Sequence, residues 1–237
     1  MADKKKNRSG AAGSDRPRKQ GFHLMAKPAG PRCNLRCAYC FYLEKKTFFD
    51  EDSDFRMSDE VLEAYIREYI KSQEGPSVSF DWQGGEPSLL GPCFFERVLD
   101  LQKKYGEGKQ IHNTLQTNGT LLDEQWLAFL ARNKFLVGLS MDGPEAVHDA
   151  YRLDQDGNPT CARVLETLKL MLKHGIEVNI LATVNCHSSS KPLEVYHFFR
   201  ESGARFIQFI PVIERKADAE GEKPGMRLAS PPSVTKE

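Results

Sequence analysis

Apolar and polar positions follow two rhythms along this chain. Short apolar runs bounded by turn residues occur at Phe22–Ala26, Val78–Trp82, Ile111–Gln116, Leu136–Ser140, Val178–Val184 and Phe206–Val212. Runs of this length and flanking read as strands. Between them the spacing becomes helical. Val61, Leu62, Tyr65, Ile66, Tyr69 and Ile70 predict one apolar stripe behind Asp59 and Glu60, whose charges suit a helix N-terminus. Phe94, Phe95, Val98 and Leu99 mark a second helix. Asp123 is placed to cap a third, carrying Trp126, Leu127 and Leu130. Thr160 is placed to cap a fourth, through Val164, Leu165, Leu168 and Met171 to a stop at Gly175. A fifth carries Val195, Phe198 and Phe199 and ends at Gly203.

Strand and helix therefore alternate, which demands parallel strands joined by helical crossovers of one hand. Such a sheet is either doubly wound or a barrel. The unusual residues of the chain fall just after strand ends, and that favours a βα barrel, whose rim assembles active sites. No sixth helix follows the sixth strand. From Glu214 the chain turns polar, with Pro224, Pro231 and Pro232. The expected division is a tail over 1–20, a core over 21–213 and a polar linker over 214–237. The linker is expected to lead towards a further domain that this chain lacks.

Composition narrows the class. A chain of 237 residues with 40% hydrophobic and 28% charged residues is ordinary for one globular domain. Zero formal net charge gives no bulk attraction to nucleic acid or to an anionic membrane, and neither partner is expected. Lys4, Lys5, Lys6, Arg8, Arg16, Arg18 and Lys19 crowd a start with almost no large apolar residue, which predicts a disordered basic N-terminal tail. No apolar run reaches membrane-spanning length, and no secretory signal opens the chain. Six cysteines in that context predict a reducing cytoplasm.

The candidate chemistry begins at Cys33-Asn34-Leu35-Arg36-Cys37-Ala38-Tyr39-Cys40. Three thiolates on one short loop have several readings. A zinc site needs a fourth nearby ligand, and the nearest candidates are His23 and Cys93. A disulfide framework needs export. A thioredoxin-like pair, Cys37 with Cys40, leaves Cys33 unexplained. A [4Fe–4S] cluster held by three cysteines leaves one iron free to bind a small molecule. Cys93, Cys161 and Cys186 are scattered and read as small buried residues.

Further signals follow the later strands. Gln83-Gly84-Gly85-Glu86-Pro87 follows the second, where adjacent glycines permit close backbone approach and Glu86 is placed to meet an ammonium group. Gln116-Thr117-Asn118-Gly119-Thr120 follows the third. Ser140 and Asp142 alternate at the end of the fourth, so both are expected to face the rim, unless they serve only as turn formers. Arg152 lies beyond them, and a guanidinium suits a carboxylate.

Together these phrases resemble the radical S-adenosylmethionine (SAM) enzymes, and within them the core of the anaerobic sulfatase-maturating enzymes. The resemblance runs from Phe22 to about Ile213. It is carried by Cys33–Tyr42, Trp82–Pro87, Leu115–Thr120, Phe135–Pro144 and Phe206–Ile210. It implies an α/β fold, an incomplete (β/α)6 radical SAM barrel. It implies a [4Fe–4S] cluster on Cys33, Cys37 and Cys40, and SAM contacts at Tyr39, Gly85, Ser140, Arg152 and, on the sixth strand, Ile213. Tyr42 and Gln116 would lie near a substrate peptide. The implied reaction starts with hydrogen abstraction by a 5′-deoxyadenosyl radical and oxidises a Cys or Ser of a sulfatase to Cα-formylglycine. The implied partners are the sulfatase polypeptide and an electron donor such as flavodoxin or ferredoxin. In the family a catalytic aspartate and two auxiliary clusters of the SPASM type follow the barrel, and neither is expected within these 237 residues. A different peptide-modifying radical SAM maturase, or a non-catalytic Fe–S and SAM-binding fragment, remain the alternatives.

Overall fold

The computed structural model describes residues 21–45, 48–49, 54–215 and 226–228. The basic tail and most of the polar segment after 215 lie outside these residues. Six parallel strands form one sheet: β1 Met25–Ala26, β2 Ser77–Trp82, β3 Gln110–Thr117, β4 Leu136–Ser140, β5 Glu177–Val184 and β6 Phe206–Pro211. Their spatial order equals their chain order. That is the winding of a βα barrel and not of a doubly wound sheet. β1 and β6 remain its edges, so the barrel is incomplete.

Side-chain alternation gives the sheet two unlike faces. Val78, Phe80 and Trp82 of β2, Val137 and Leu139 of β4, and Val178, Ile180 and Ala182 of β5 are buried. Five helices supply the other half of that core: α2 Asp59–Ser72, α3 Pro92–Tyr105, α4 Glu124–Arg132, α6 Cys161–Lys173 and α8 Pro192–Glu201. Aromatic rings dominate the centre. Phe80 stacks beside Trp82 at 6.1 Å, and Phe95 meets Trp82 edge-on at 5.8 Å. Each such ring, fully buried, contributes roughly 1.5–3 kcal/mol. The inner face carries the intervening residues and is open and more polar.

Shorter pieces sit in the connections that leave the strands' C-terminal ends. These are α1 Phe41–Lys45, a 3-10 turn Pro87–Leu90, α5 Glu145–His148 and α7 Cys186–Ser189. None shows in the apolar periodicity, because each is too short to present a stripe. Among the described residues no helix is long and apolar enough to cross a membrane.

Several local expectations change. The first strand is only two residues long, paired with Asp81 and Trp82. Phe22, Leu24 and Met25 are exposed at the sheet edge, and Leu24 N–H donates to the Tyr69 hydroxyl instead of a ladder. Val61 faces solvent, outside the buried stripe of α2. Asp123 caps α4 by accepting from Trp126 N–H at 2.9 Å. Thr160 does not cap α6. Its hydroxyl is committed to the Arg152 carbonyl, and Asp149 accepts from the Thr160 and Cys161 N–H groups instead. Cys161 is buried as expected, but Cys93 and Cys186 are exposed at the starts of α3 and α7. The sixth strand ends at Pro211, and Ile213 belongs to a separate antiparallel pair. That pair, β7 Ile213–Arg215 with β8 Met226–Leu228, begins at the last residue expected of the core and otherwise falls in the stretch read as a polar linker.

One polar trio is sealed in the core. Asn113 accepts from Trp82 Nε1 and Gln102 Nε2, both at 2.9 Å, and donates to Gln102 Oε1 at 2.8 Å. Asn113→Ala would leave buried donors without an acceptor and should cost about 2–5 kcal/mol in urea unfolding. Adding Gln102→Leu should recover part of that loss, because the stranded amide goes with it. Equal stability of the single variant and the parent would remove the trio from the account of the fold.

Candidate functional site

The cysteine loop has little regular structure of its own and borrows its shape from neighbours. Arg36 N–H donates to Leu153 O and Ala38 N–H to Tyr151 O, both at 2.9 Å. Gln155 Nε2 donates to the carbonyls of Cys33 and Leu35, at 3.0 and 2.9 Å. From the β3 side, Asn34 Nδ2 donates to Thr120 and Asn118 Nδ2 donates to Asn34 Oδ1. The loop is thus pinned to the ends of β3 and β4.

The β2 end closes the third side. Gly85 has a positive φ of 54°, and a Cβ there would stand 2.1 Å from Arg32 O and 2.7 Å from Gly30 O. Glycine is required because two backbones touch. Glu86 N–H donates to Arg32 O at 2.7 Å. The Glu86 side chain is not offered to a ligand. It is 1% exposed and accepts from Ser88 N–H, the Thr117 hydroxyl and Asn118 N–H. The expectation that it meets an ammonium group is corrected, since its lone pairs tie the β2 end to the β3 end. Burial raises its pKa despite these bonds.

Asp142 is likewise not a rim group. Its side chain is 0% exposed and accepts from Arg152 Nε and Nη2, each at 3.0 Å, and from Thr183 N–H at 2.8 Å. The Tyr39 hydroxyl also donates to it. Arg152 additionally donates from Nη2 to the Thr183 hydroxyl and lies 5.4 Å over the Tyr39 ring. Arg152 therefore serves the fold first, through a buried paired fork. Among the described residues its Nη1 has no hydrogen-bond partner. Burial alone would raise the Asp142 pKa, but the Arg152 charge and the bonds outweigh it and hold the carboxyl below its usual value.

His148, unremarked in the sequence, completes this centre. Thr160 donates its only hydroxyl hydrogen to Arg152 O, so at 3.1 Å it must accept from His148 Nε2–H. His148 Nδ1 accepts from Asp142 N–H at 3.3 Å. The neutral Nε2–H tautomer follows from the donor count. Burial first, then the Arg152 charge, lower its pKa from 6.5 to about 4.

Cys33, Cys37 and Cys40 lie within electrostatic reach of one another, Arg152 lies within reach of Cys37 and Tyr39, and Gly85 packs against the backbone of Gly30 and Arg32 just before the loop. Ser140 stands on the inner face and accepts from Gln116 Nε2 at 3.0 Å. Tyr42 packs on Phe41 at 4.2 Å beneath Lys27. Ile213 is placed by its backbone in β7.

The thiols suit a multi-iron cluster. Cys33 Sγ receives only long contacts, from Leu35 N–H at 3.4 Å and Asn118 Nδ2 at 3.7 Å. Burial, with added repulsion from neighbouring thiols, pushes Cys33 up to about 11 and Cys37 up to about 12. Thiolates so placed need nearby positive charge, which a cluster iron supplies. Among the described residues no three His, Cys, Asp or Glu side chains are gathered to hold a single ion.

Comparison with known proteins agrees with this geometry. The profile of the Radical SAM superfamily matches residues 28–198. A serine-type anaerobic sulfatase-maturating enzyme of Bacteroides thetaiotaomicron is 45% identical over 194 residues, which are 82% of this chain and 47% of that protein. A cysteine-type anaerobic sulfatase-maturating enzyme of Clostridium perfringens is 42% identical over 200 residues, 84% of this chain and 54% of that protein. A solved structure described as native anSMEcpe with bound AdoMet and Cp18Cys peptide superposes with a TM-score of 0.75 at 40% identity, covering 85% of this chain and 54% of that one. The chain spans about half the length of the relatives it matches.

Two outcomes test the buried centre. Arg152→Ala should destabilise the fold by about 3–5 kcal/mol, because it strands a buried carboxylate. The calorimetric transition of the variant measures this, and an unchanged transition would show the pair to be dispensable. His148 has a depressed folded pKa, so its stabilising contribution is complete above 6.5 and lost as pH falls to about 4. The urea-unfolding free energy of the parent should fall over that window by up to roughly 3 kcal/mol, and His148→Gln should flatten the fall. Parallel curves for the two proteins would place the effect elsewhere.

Proposed function

The chain belongs to the radical SAM superfamily, and from that premise we propose that it is the core of an oxidoreductase that converts a Cys or Ser of a sulfatase to Cα-formylglycine. The observation that carries the reading is the extent of the likeness. Identity of 42–45% runs through more than four-fifths of the chain. The superfamily match alone spans all three cysteines and the ends of β2 to β5. Relatives of both the serine and cysteine types match at similar identity, so either substrate is supported and both are to be tested.

Cys33, Cys37 and Cys40 would hold the [4Fe–4S] cluster, leaving SAM the fourth iron. Together the two cofactors supply hydrogen abstraction from an unactivated carbon. The chain's own residues prepare the place. Arg152, fixed by Asp142, keeps its Nη1 edge for the SAM carboxylate. The Tyr39 ring, held by its hydroxyl and by Tyr151 at 5.6 Å, walls the cofactor side. Gly85 brings the β2 end against the cysteine loop, so its backbone groups border the same space. Ser140 retains its hydroxyl hydrogen for a ligand. Ile213 would close the far edge. The sulfatase polypeptide and a one-electron donor such as flavodoxin or ferredoxin are the partners under this reading, and the cytoplasm is its setting.

Anaerobic reconstitution with iron and sulfide should give a brown protein that bleaches with dithionite. Incubated with SAM and sulfatase peptides deuterated at Cβ of the target Cys or Ser, it should cleave SAM and carry deuterium into 5′-deoxyadenosine with at least one of them, which tests hydrogen abstraction, the step the core residues serve. Cys37→Ala should lose iron loading and SAM cleavage together. A full cluster in Cys37→Ala, or SAM cleavage with no deuterium transfer from either peptide, would sink the assignment.

A further inference from the structure

The three cysteines of the loop differ in what their sulfurs meet. Cys33 Sγ receives two N–H groups, from Leu35 at 3.4 Å and from the Asn118 carboxamide at 3.7 Å. Among the described residues neither Cys37 nor Cys40 Sγ receives any. The Leu35 contact is local, between residues two apart. The Asn118 contact spans 85 residues and arrives from the end of β3.

Neighbours fix the direction of the Asn118 amide. Thr120 N–H, which can only donate, meets Asn118 Oδ1 at 2.9 Å, and the Thr120 hydroxyl donates to the same oxygen at 2.7 Å. Nδ2 therefore points the other way. One of its hydrogens goes to Asn34 Oδ1 at 2.9 Å, and Asn34 Nδ2 donates in turn to Thr120 Oγ1 at 2.8 Å. That closes a ring of three side chains. The second hydrogen of Nδ2 is left with the Cys33 sulfur. Asn118 is buried, and its own N–H is tied to Glu86 at 2.7 Å. The donor is thus held in place by the protein, with little left to order when a ligand arrives.

A cluster gains one negative charge when it takes an electron, and its ligating sulfurs share that charge. Hydrogen bonds aimed at those sulfurs favour the reduced state. We infer that Asn118 acts through Cys33 on the electron-transfer step: its amide hydrogen, aimed at Cys33 Sγ, raises the reduction potential of the cluster and eases its reduction by the one-electron donor. This deepens the functional reading above and rests on its assignment of the cluster.

The test is an anaerobic redox titration of the reconstituted, SAM-free protein, followed by electron paramagnetic resonance. Asn118→Ser suits it, because a serine oxygen still accepts from the N–H two residues on but offers no amide to the sulfur. Asn118→Ala is the second variant. Each should load iron as the parent does. Each should disfavour the reduced cluster roughly three- to tenfold, a potential about 30–60 mV lower for a one-electron couple. Thr120→Val opens the same ring but keeps the backbone N–H that orients the amide, so its potential should match that of the parent. A parental potential in either loaded Asn118 variant would overturn the inference. So would an equal shift in Thr120→Val, or loss of the cluster from both Asn118 variants, which would make the residue a brace of the loop. A parent that loads no reducible cluster would overturn the functional reading and this inference with it.

Discussion

A charged carboxylate sealed from water must be fully paired, and Asp142 meets that demand by drawing in three separate segments. Arg152 comes from the connection after β4, Tyr39 from the cysteine loop and Thr183 from the end of β5, while His148 of α5 accepts from the Asp142 backbone N–H. An isolated buried charge would cost several kcal/mol, so partial assembly is unstable. The pair adds little net stability compared with an apolar packing, but it accepts one arrangement only. The position of Tyr39 between two candidate cluster ligands thus follows from electrostatics beyond the cysteine loop.

Glu86 performs a matching task on the opposite side of the loop. One carboxylate holds the β2 end to the β3 end, and the other holds the β4 end to β5. The cysteine loop is clamped between them by backbone contacts at Gly85, Arg32, Tyr151 and Leu153. The rim can therefore be organised by protein contacts alone. Preorganisation of this kind lowers the ordering cost that a bound ligand would otherwise bear.

Much of this architecture is legible in the sequence because its signals are periodic or chemically singular. Strands β2 to β5 bury alternate residues against helices, so their apolar rhythm survives in the chain. The three cysteines stand out by spacing alone. The edge strands are less readable: β1 shrinks to two residues where Phe22 and Met25 stand exposed among the described residues, and Phe206 of β6 is 68% exposed. Partnerships of polar residues are not readable at all. Glu86 and Asp142 follow turns where carboxylates commonly face solvent, and only the fold reveals that one binds backbone and the other an arginine. Thr160 resembles a helix cap because capping is local, whereas its hydroxyl serves a carbonyl brought near by α5. His148 carries no sequence signal beyond its polarity in a short helix.

The anchors of the cysteine loop are remote along the chain. Tyr39 meets Asp142 across 103 residues, and Gln155 meets Cys33 across 122. During synthesis at about 5–20 residues per second, the thiols emerge on the order of ten seconds before their clamps exist. For that interval they are unshielded, and oxidation or stray metal competes for them. A cluster held by these three thiols would therefore be inserted late, into a loop whose clamps had already formed.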